Sequence, residues 1–224
     1  MKLLLVAATE PEISPFIRHI AQNWKSPVAN IYTNGNSEIH ICLTGVGLVA
    51  TTYAVTKALK IGQYDFVLQA GVGGSFDRSI ELGQLVMVQS EEFGDLGAED
   101  RNNYLDIFDM GLLQPNEHPF TDGKLDTPLH EIPFPFKLLT VSGLSINTVS
   151  GRESTIALRN QRFGAQVESM EGAALHYVCL QENIPFAQIR AISNYVEPRD
   201  KSKWKMKEAI IALNKWLIDF SSTL

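Results

Sequence analysis

Glu12, Glu171 and Asn194 are the residues of this 224-residue sequence whose types and settings could do chemistry. Glu12 follows the apolar run KLLLVAA inside Thr9-Glu10-Pro11-Glu12. A carboxylate there is either the N3 member of a capping box, tied to the start of the helix it opens, or a general base at a strand end. Glu171, preceded by Met170, opens the helical pattern EGAALHYV. The helix dipole favours any acid at that place, and an ionised carboxylate offers a ligand only acceptors. Ser193-Asn194 closes the apolar string FAQIRAIS and precedes the charged run EPRDKSK. The amide brings two N–H donors and one acceptor oxygen but transfers no proton at neutral pH; its plainer role is a strand-end cap on local backbone.

Two glycine clusters, Thr44-Gly45-Val46-Gly47 and Ala70-Gly71-Val72-Gly73-Gly74-Ser75, follow apolar strings. Glycines at such places either make tight strand-to-helix turns or let backbone amides approach a ligand. GVGLVA matches the dinucleotide-binding pattern G-x-G-x-x-A, but at least two strands precede it. The acid about twenty positions on, Asp65, also stands before the next strand rather than at its end. The five histidines show no HExxH or zinc spacing, no GxSxG occurs, and Cys42 and Cys179 sit in apolar strings as core residues do. His176 reads as a packed helix residue.

These groups need a scaffold, and 224 residues suffice for one large core, a single domain over 1–224. A balance of 19 basic against 25 acidic residues, net −6, disfavours nucleic acid and anionic membrane surfaces as partners. The opening apolar run is too short for a secretory leader and reads as a strand, so a soluble cytoplasmic protein is expected. Short apolar strings alternate with amphipathic patterns, which predicts an α/β sheet covered by helices on both faces. Asn34-Gly35 marks a hairpin that makes the sheet mixed. Ala98 to Phe136, with five prolines, predicts a long loop with little regular structure. In the tail, Met206, Ala209, Ile210, Leu213, Leu217 and Phe220 share one helical face that should pack on the sheet.

Taken together, ATEPE at residues 8–12, VESMEG at 167–172, RAISN at 190–194 and the glycine clusters resemble the purine nucleoside phosphorylase and methylthioadenosine nucleosidase superfamily. Within it, SNYVEPRDKSKW looks most similar to the futalosine hydrolase branch, nucleosidases of menaquinone biosynthesis that release hypoxanthine. The resemblance implies a three-layer αβα sandwich around a central mixed β-sheet, a homodimer or higher oligomer, and no metal or organic cofactor. It matches Glu12 to the carboxylate that activates water, Glu171 beside Met170 to the one that holds the ribose hydroxyls, and Gly73 and Gly74 to a loop near the ribose. Asn194, after Ser193, falls where adenine-releasing members carry an aspartate. Ile146 stands roughly where they place an aromatic residue under the base.

That amide suits a 6-oxopurine. Adenine pairs an acceptor at N7 with a donor amino group, whereas hypoxanthine shows two acceptors, N7 and O6, which an amide nitrogen complements. A benzoate-type group on the substrate calls for a cation, and Arg199 is the candidate. Asp200 is the nearest acid in sequence that could protonate the leaving base. TGVGLV and ATEPE lack Lys and Arg, so water is favoured over phosphate as nucleophile. An adenine-releasing nucleosidase, a purine nucleoside phosphorylase and a nucleoside-binding sensor without turnover are the alternatives.

Overall fold

A computed structural model describes residues 1–101, 103–128 and 137–224. In chain order the first half holds β1 (Lys2–Ala7), α1 (Glu10–Asn23), β2 (Lys25–Val28), β3 (Ile31–Asn34), β4 (Ser37–Leu43), α2 (Leu48–Ile61), β5 (Phe66–Ser75) and β6 (Leu85–Phe93). The second half holds β7 (Gly97–Asp100), β8 (Asn103–Asp106), β9 (Leu125–Asp126), β10 (Leu139–Ser145), α3 (Glu153–Phe163), β11 (Val167–Ser169), α4 (Gly172–Gln181), β12 (Phe186–Tyr195) and α5 (Met206–Ser221).

The architecture is the expected three-layer sandwich on a mixed sheet. Across the sheet the strands run β2-β3-β4-β1-β5-β12-β6-β10-β11, and β9 pairs with β6. β4, β1, β5 and β12 are mutually parallel, so their carboxyl ends share one edge. β11 pairs with β10 and also, antiparallel, with β5, which curls this half of the sheet closed.

β1 reads as an unbroken apolar run because both its faces are covered. Leu3, Leu5 and Ala7 meet Ile13 and Phe16 of α1 and Leu213 and Leu217 of α5; Leu4 and Val6 meet Val55 of α2 and Leu175 and Val178 of α4. Each of these valine, leucine, isoleucine and phenylalanine side chains, once buried, contributes about 1.5–3 kcal/mol. Cys179 lies in the second of these layers, where burial pushes its thiol pKa up.

Three expectations change. Ala98 to Phe136 is not wholly irregular: β7 and β8 form a hairpin and β9 adds to the sheet, while Pro133 and Pro135 lie outside the described residues. The second glycine cluster is not a loop after β5 but its second half, extended and paired with β12 along its length and with β11 at Gly74 and Ser75. Strand glycines of this kind mark places where other groups approach the backbone closely. The apolar face of the tail helix divides: Ala209, Leu213, Leu217 and Phe220 enter the core, and Met206 and Ile210, in its first turns, line a cavity.

α1 carries Pro15 in its second turn, a residue that lacks an N–H and crowds the carbonyl one turn back. Buried Asn214 of α5 bridges this turn: Oδ1 accepts from the Phe16 N–H at 2.8 Å, and Nδ2 donates to the Glu12 carbonyl at 2.8 Å and to the Ile210 carbonyl at 2.7 Å. Replacing Asn214 by Leu should lower the unfolding free energy by about 2 kcal/mol, the scale of unsatisfied buried polar groups. Urea denaturation checks this. A loss below about 0.5 kcal/mol would mean that α1 closes the turn unaided.

Candidate active site

The carboxyl ends of β1, β5 and β12, with the N-terminus of α4, surround a cavity of about 380 Å³. Parallel α/β sheets place ligands at this edge. Glu12, Met170, Glu171 and Asn194 line the cavity together with Val72 and Trp204.

Glu12 fits both of its candidate descriptions at once. Its Oε2 accepts from the Thr9 N–H and from Thr9 Oγ1, each at 2.9 Å, while Oε1 accepts from the Val72 N–H at 3.1 Å. The cap uses one oxygen and fixes the other against β5. Gly71 makes room for this: a Cβ there would lie 3.0 Å from Oε1 and 2.8 Å from Arg190 Nη1.

Glu171 occupies the N-cap of α4 and is buried. Its Oε1 accepts from the Gly47 N–H at 3.2 Å and its Oε2 from Arg190 Nη1 at 3.3 Å. The first glycine cluster therefore delivers an amide to the protein's own acid. Gly47, with φ of 97°, is in the region that favours glycine. Each oxygen retains acceptor capacity for a pair of hydroxyls.

Arg190 was in the quoted motif without an assigned role, and the structure gives it a central one. It is 2% exposed and donates to Gln188 Oε1 at 2.8 Å, Val72 O at 3.2 Å and Gln69 Oε1 at 3.2 Å, besides Glu171. Polar residues inside otherwise apolar strands, Gln69 in FVLQAG and Gln188 and Arg190 in FAQIRAIS, were the available signal.

Ser193 forms a bulge, so that Ile192 pairs with Gly73 and Asn194 with Gly74. Ser193 Oγ shares its single hydrogen between Gly73 O at 3.2 Å and Asn194 Oδ1 at 2.9 Å, and Asn194 Nδ2 donates to Tyr195 O at 3.0 Å. One amide hydrogen of Asn194 thus caps local backbone, and the second is uncommitted among the described residues. Across Gly74 lies Glu168, 3% exposed, which accepts from the Ser150 N–H at 3.0 Å and from Ser150 Oγ, with Arg159 3.6 Å away. Burial raises the pKa of its carboxyl.

Other residues fall elsewhere. Exposed Arg199 lines the cavity mouth and stacks over Trp204, 5.2 Å from the ring centroid. Asp200 does not line the cavity: it caps a short turn, accepting from the Ser202 N–H at 3.0 Å and Ser202 Oγ at 2.7 Å, bonds that lower its pKa and make it a poor acid. Ile146 packs with Leu144 and Ala165 in a small core cluster, away from the cavity lining. Arg78 pairs with Glu197 beside the Tyr195 ring.

His176 is fully buried, with Nδ1 2.9 Å from Leu125 O and Nε2 3.0 Å from Gln188 Nε2. A carbonyl only accepts, so Nδ1 carries the proton and Nε2 accepts. Burial pushes its pKa down to about 4. The cost of this burial is absent above about pH 6.5, the unfolded value, and grows as pH falls toward 4, to about 3 kcal/mol. His176→Gln should therefore flatten the loss of stability between pH 6.5 and 4, read from urea midpoints; an unchanged acid limb would show that His176 is not its source.

A family model described as the Phosphorylase superfamily matches residues 2–220. The chain is 32% identical to the futalosine hydrolase of Streptomyces coelicolor over 70% of its own length and 65% of that enzyme's, just under two thirds. It is 30% identical to the futalosine hydrolase of Thermus thermophilus, over 76% of this chain and 75% of that one. Among solved structures, a mutant methylthioadenosine nucleosidase of Helicobacter pylori, with 5'-methylthioadenosine in its active site, superimposes with a TM-score of 0.79 at 18% identity, covering 100% of this chain and 99% of that one.

Proposed function

Since the chain belongs to the phosphorylase superfamily, we propose that it is a nucleosidase that hydrolyses the N-glycosidic bond of futalosine and releases hypoxanthine, a step of menaquinone biosynthesis. The observation that carries this reading is the joint anchoring of two cavity carboxylates on the main chain of one residue. Val72 donates to Glu12, and its carbonyl accepts from the Arg190 that holds Glu171.

Cleavage of the bond leaves positive charge on the ribose and negative charge on the purine. A carboxylate beside the first and donors beside the second are therefore stabilising in the transition state. Glu12 takes a proton from water as the water oxygen bonds to the anomeric carbon, a general-base role worth about 10²–10⁴-fold. Glu171 accepts from the vicinal ribose hydroxyls. The uncommitted Asn194 hydrogen faces the acceptor edge of the 6-oxopurine, which departs with the bonding electron pair and takes up a proton from solvent.

Water rather than phosphate is the nucleophile. Among the described residues, Glu12, Glu168 and Glu171 line the cavity against one lining cation, Arg199 at the mouth, and Arg190 is committed to internal acceptors. An acidic lining repels a phosphate dianion. Arg199 meets the benzoate-type group. The reading requires no metal or organic cofactor. The protein works in the cytoplasm, in keeping with the finding that no helix among the described residues is long and apolar enough to cross a membrane. It forms a homodimer or higher oligomer through α2, whose Val49 and Ile61 are 82% and 78% exposed.

Chromatography of reactions with futalosine, inosine and methylthioadenosine, each with and without phosphate, tests the reading. Hypoxanthine from futalosine, independent of phosphate, is expected. Adenine from methylthioadenosine would refute the role given to Asn194, and a ribosyl phosphate product would refute hydrolysis. Glu12→Gln should cut turnover by at least about 100-fold with binding retained. Arg199→Ala should raise KM for futalosine about tenfold or more and leave inosine unaffected, the mark of a lost ion pair to one end of one substrate.

A further inference from the structure

A buried acid that the proposed mechanism does not use lies beneath the cavity. Glu91 of β6 is 1% exposed, and its Oε2 accepts from Ser145 Oγ at 2.9 Å while its Oε1 accepts from Gln188 Nε2 at 2.9 Å. Two glycines make its berth: a Cβ on Gly143 or on Gly172 would overlap the Glu91 carboxyl. Gly172 directly follows Glu171, so the bare backbone at the start of α4 accommodates both acids. A carboxyl here is costly, because desolvating its charge costs several kcal/mol that an amide or apolar residue would avoid.

We infer that Glu91 is a positioning residue for Glu171, acting through the Gln188 amide and the Arg190 guanidinium, and that its charge state sets how firmly Glu171 is held. The inference rests on the reading of Glu171 as the group that binds the substrate's hydroxyls. Gln188 is the link. Its two Nε2 hydrogens go to Glu91 Oε1 and to His176 Nε2, at 2.9 and 3.0 Å, which leaves Oε1 facing Arg190 Nε at 2.8 Å. Turned the other way, the amide would set oxygen against the carboxylate and N–H against the guanidinium, two repulsive contacts. An acceptor at residue 91 therefore dictates where Arg190 finds its partner, and Arg190 Nη1 then reaches Val72 and Glu171.

The charged or titratable groups facing Glu91 are few. β12 brings Arg190, and α4 brings His176, held neutral, and Glu171 at its N-cap. β10 brings the Ser145 hydroxyl, and β9 the apolar Leu125. Burial raises the Glu91 carboxyl to about 7, so it changes charge across the neutral range. Above that pH it is a charged acceptor and holds Gln188 strongly; below it, the neutral acid is a weaker one.

The test is the pH dependence of KM for the nucleoside between pH 5.5 and 8.5 in the wild type, Glu91→Gln and Gln188→Met. Wild-type KM should rise about fivefold as pH falls through 7, the scale of one charge-assisted bond against a neutral one, with kcat moving less. Both variants should give flat profiles. A purely structural Glu91 would instead lower the thermal midpoint on substitution and leave the slope of KM with pH intact, which would overturn the inference.

A substrate-free readout separates this from the functional reading and serves if Glu91→Gln does not fold. The ¹⁵N resonance of Arg190 Nε should titrate near pH 7 in the wild type and stay fixed in Gln188→Met. A fixed wild-type resonance would overturn the inference whatever the kinetics. A titrating resonance in a protein that cleaves no nucleoside would support the Glu91–Arg190 link and refute the substrate instead.

Discussion

One residue, Val72, holds the two acids of the cavity in place through its main chain. Its N–H binds Glu12 at 3.1 Å, and its carbonyl binds Arg190 at 3.2 Å, which reaches Glu171 at 3.3 Å. Like charges in a poorly solvated cavity repel, and loosely hinged carboxylates would swing apart. A residue held in a β-strand by its pairing with β12 cannot follow them, so their separation is set by the fold before any ligand arrives. This works only because β5 is nearly bare there. A Cβ on Gly71 would press on Glu12 and Arg190; one on Gly73 would lie 3.0 Å from Val167 and 3.2 Å from the Glu168 carbonyl. The pairing of β11 back onto β5 depends on the same glycines.

The anchoring is expensive in charge. Arg190, Glu171 and Glu91 are all buried, and a buried ion pair often stabilises less than apolar residues of equal volume. What the network supplies is direction: every bond of Gln188 and Arg190 has one sensible partner, so their side chains have one arrangement. Surface pairs such as Arg162 with Asp106 and Lys215 with Asp219 contribute little by comparison. Costly charge concentrated under one cavity is the pattern of a functional site rather than a stability device.

Much of this was legible in the sequence. Apolar strings and helical periods predicted the sandwich, because covering both faces of a parallel strand requires an uninterrupted apolar run. Glu12, Glu171, Asn194 and Gly73 do line one cavity. Arg190 and Gln188 were missed because a single strand gives no sign of whether an inward polar residue is satisfied; their partners on β5, β6 and α4 are distant in sequence. The second glycine cluster reads in sequence as a tight turn or as a loop near a ligand, since glycine propensity favours loops and only β11 and β12 explain why it stays extended. Asp200 was misplaced because proximity in sequence to Asn194 does not survive the turn that follows β12.

The two ends of the cavity are built to different standards. The inner end is strand backbone and buried ion pairs. The mouth is made of Arg199 on Trp204 and of Met206 and Ile210 from the first turns of α5. Arg199 makes no ion pair among the described residues, and an exposed cation–π contact is worth about 0.5–1 kcal/mol, weak enough to yield to an anionic ligand. The mouth is thus made of parts that can adjust, and the inner end of parts that cannot. The ends are nonetheless coupled. α5 carries Ile210 on the cavity and, one turn later, Asn214, whose amide grips the Glu12 carbonyl at 2.8 Å. A ligand that presses on Ile210 therefore bears on the helix that holds the backbone of Glu12.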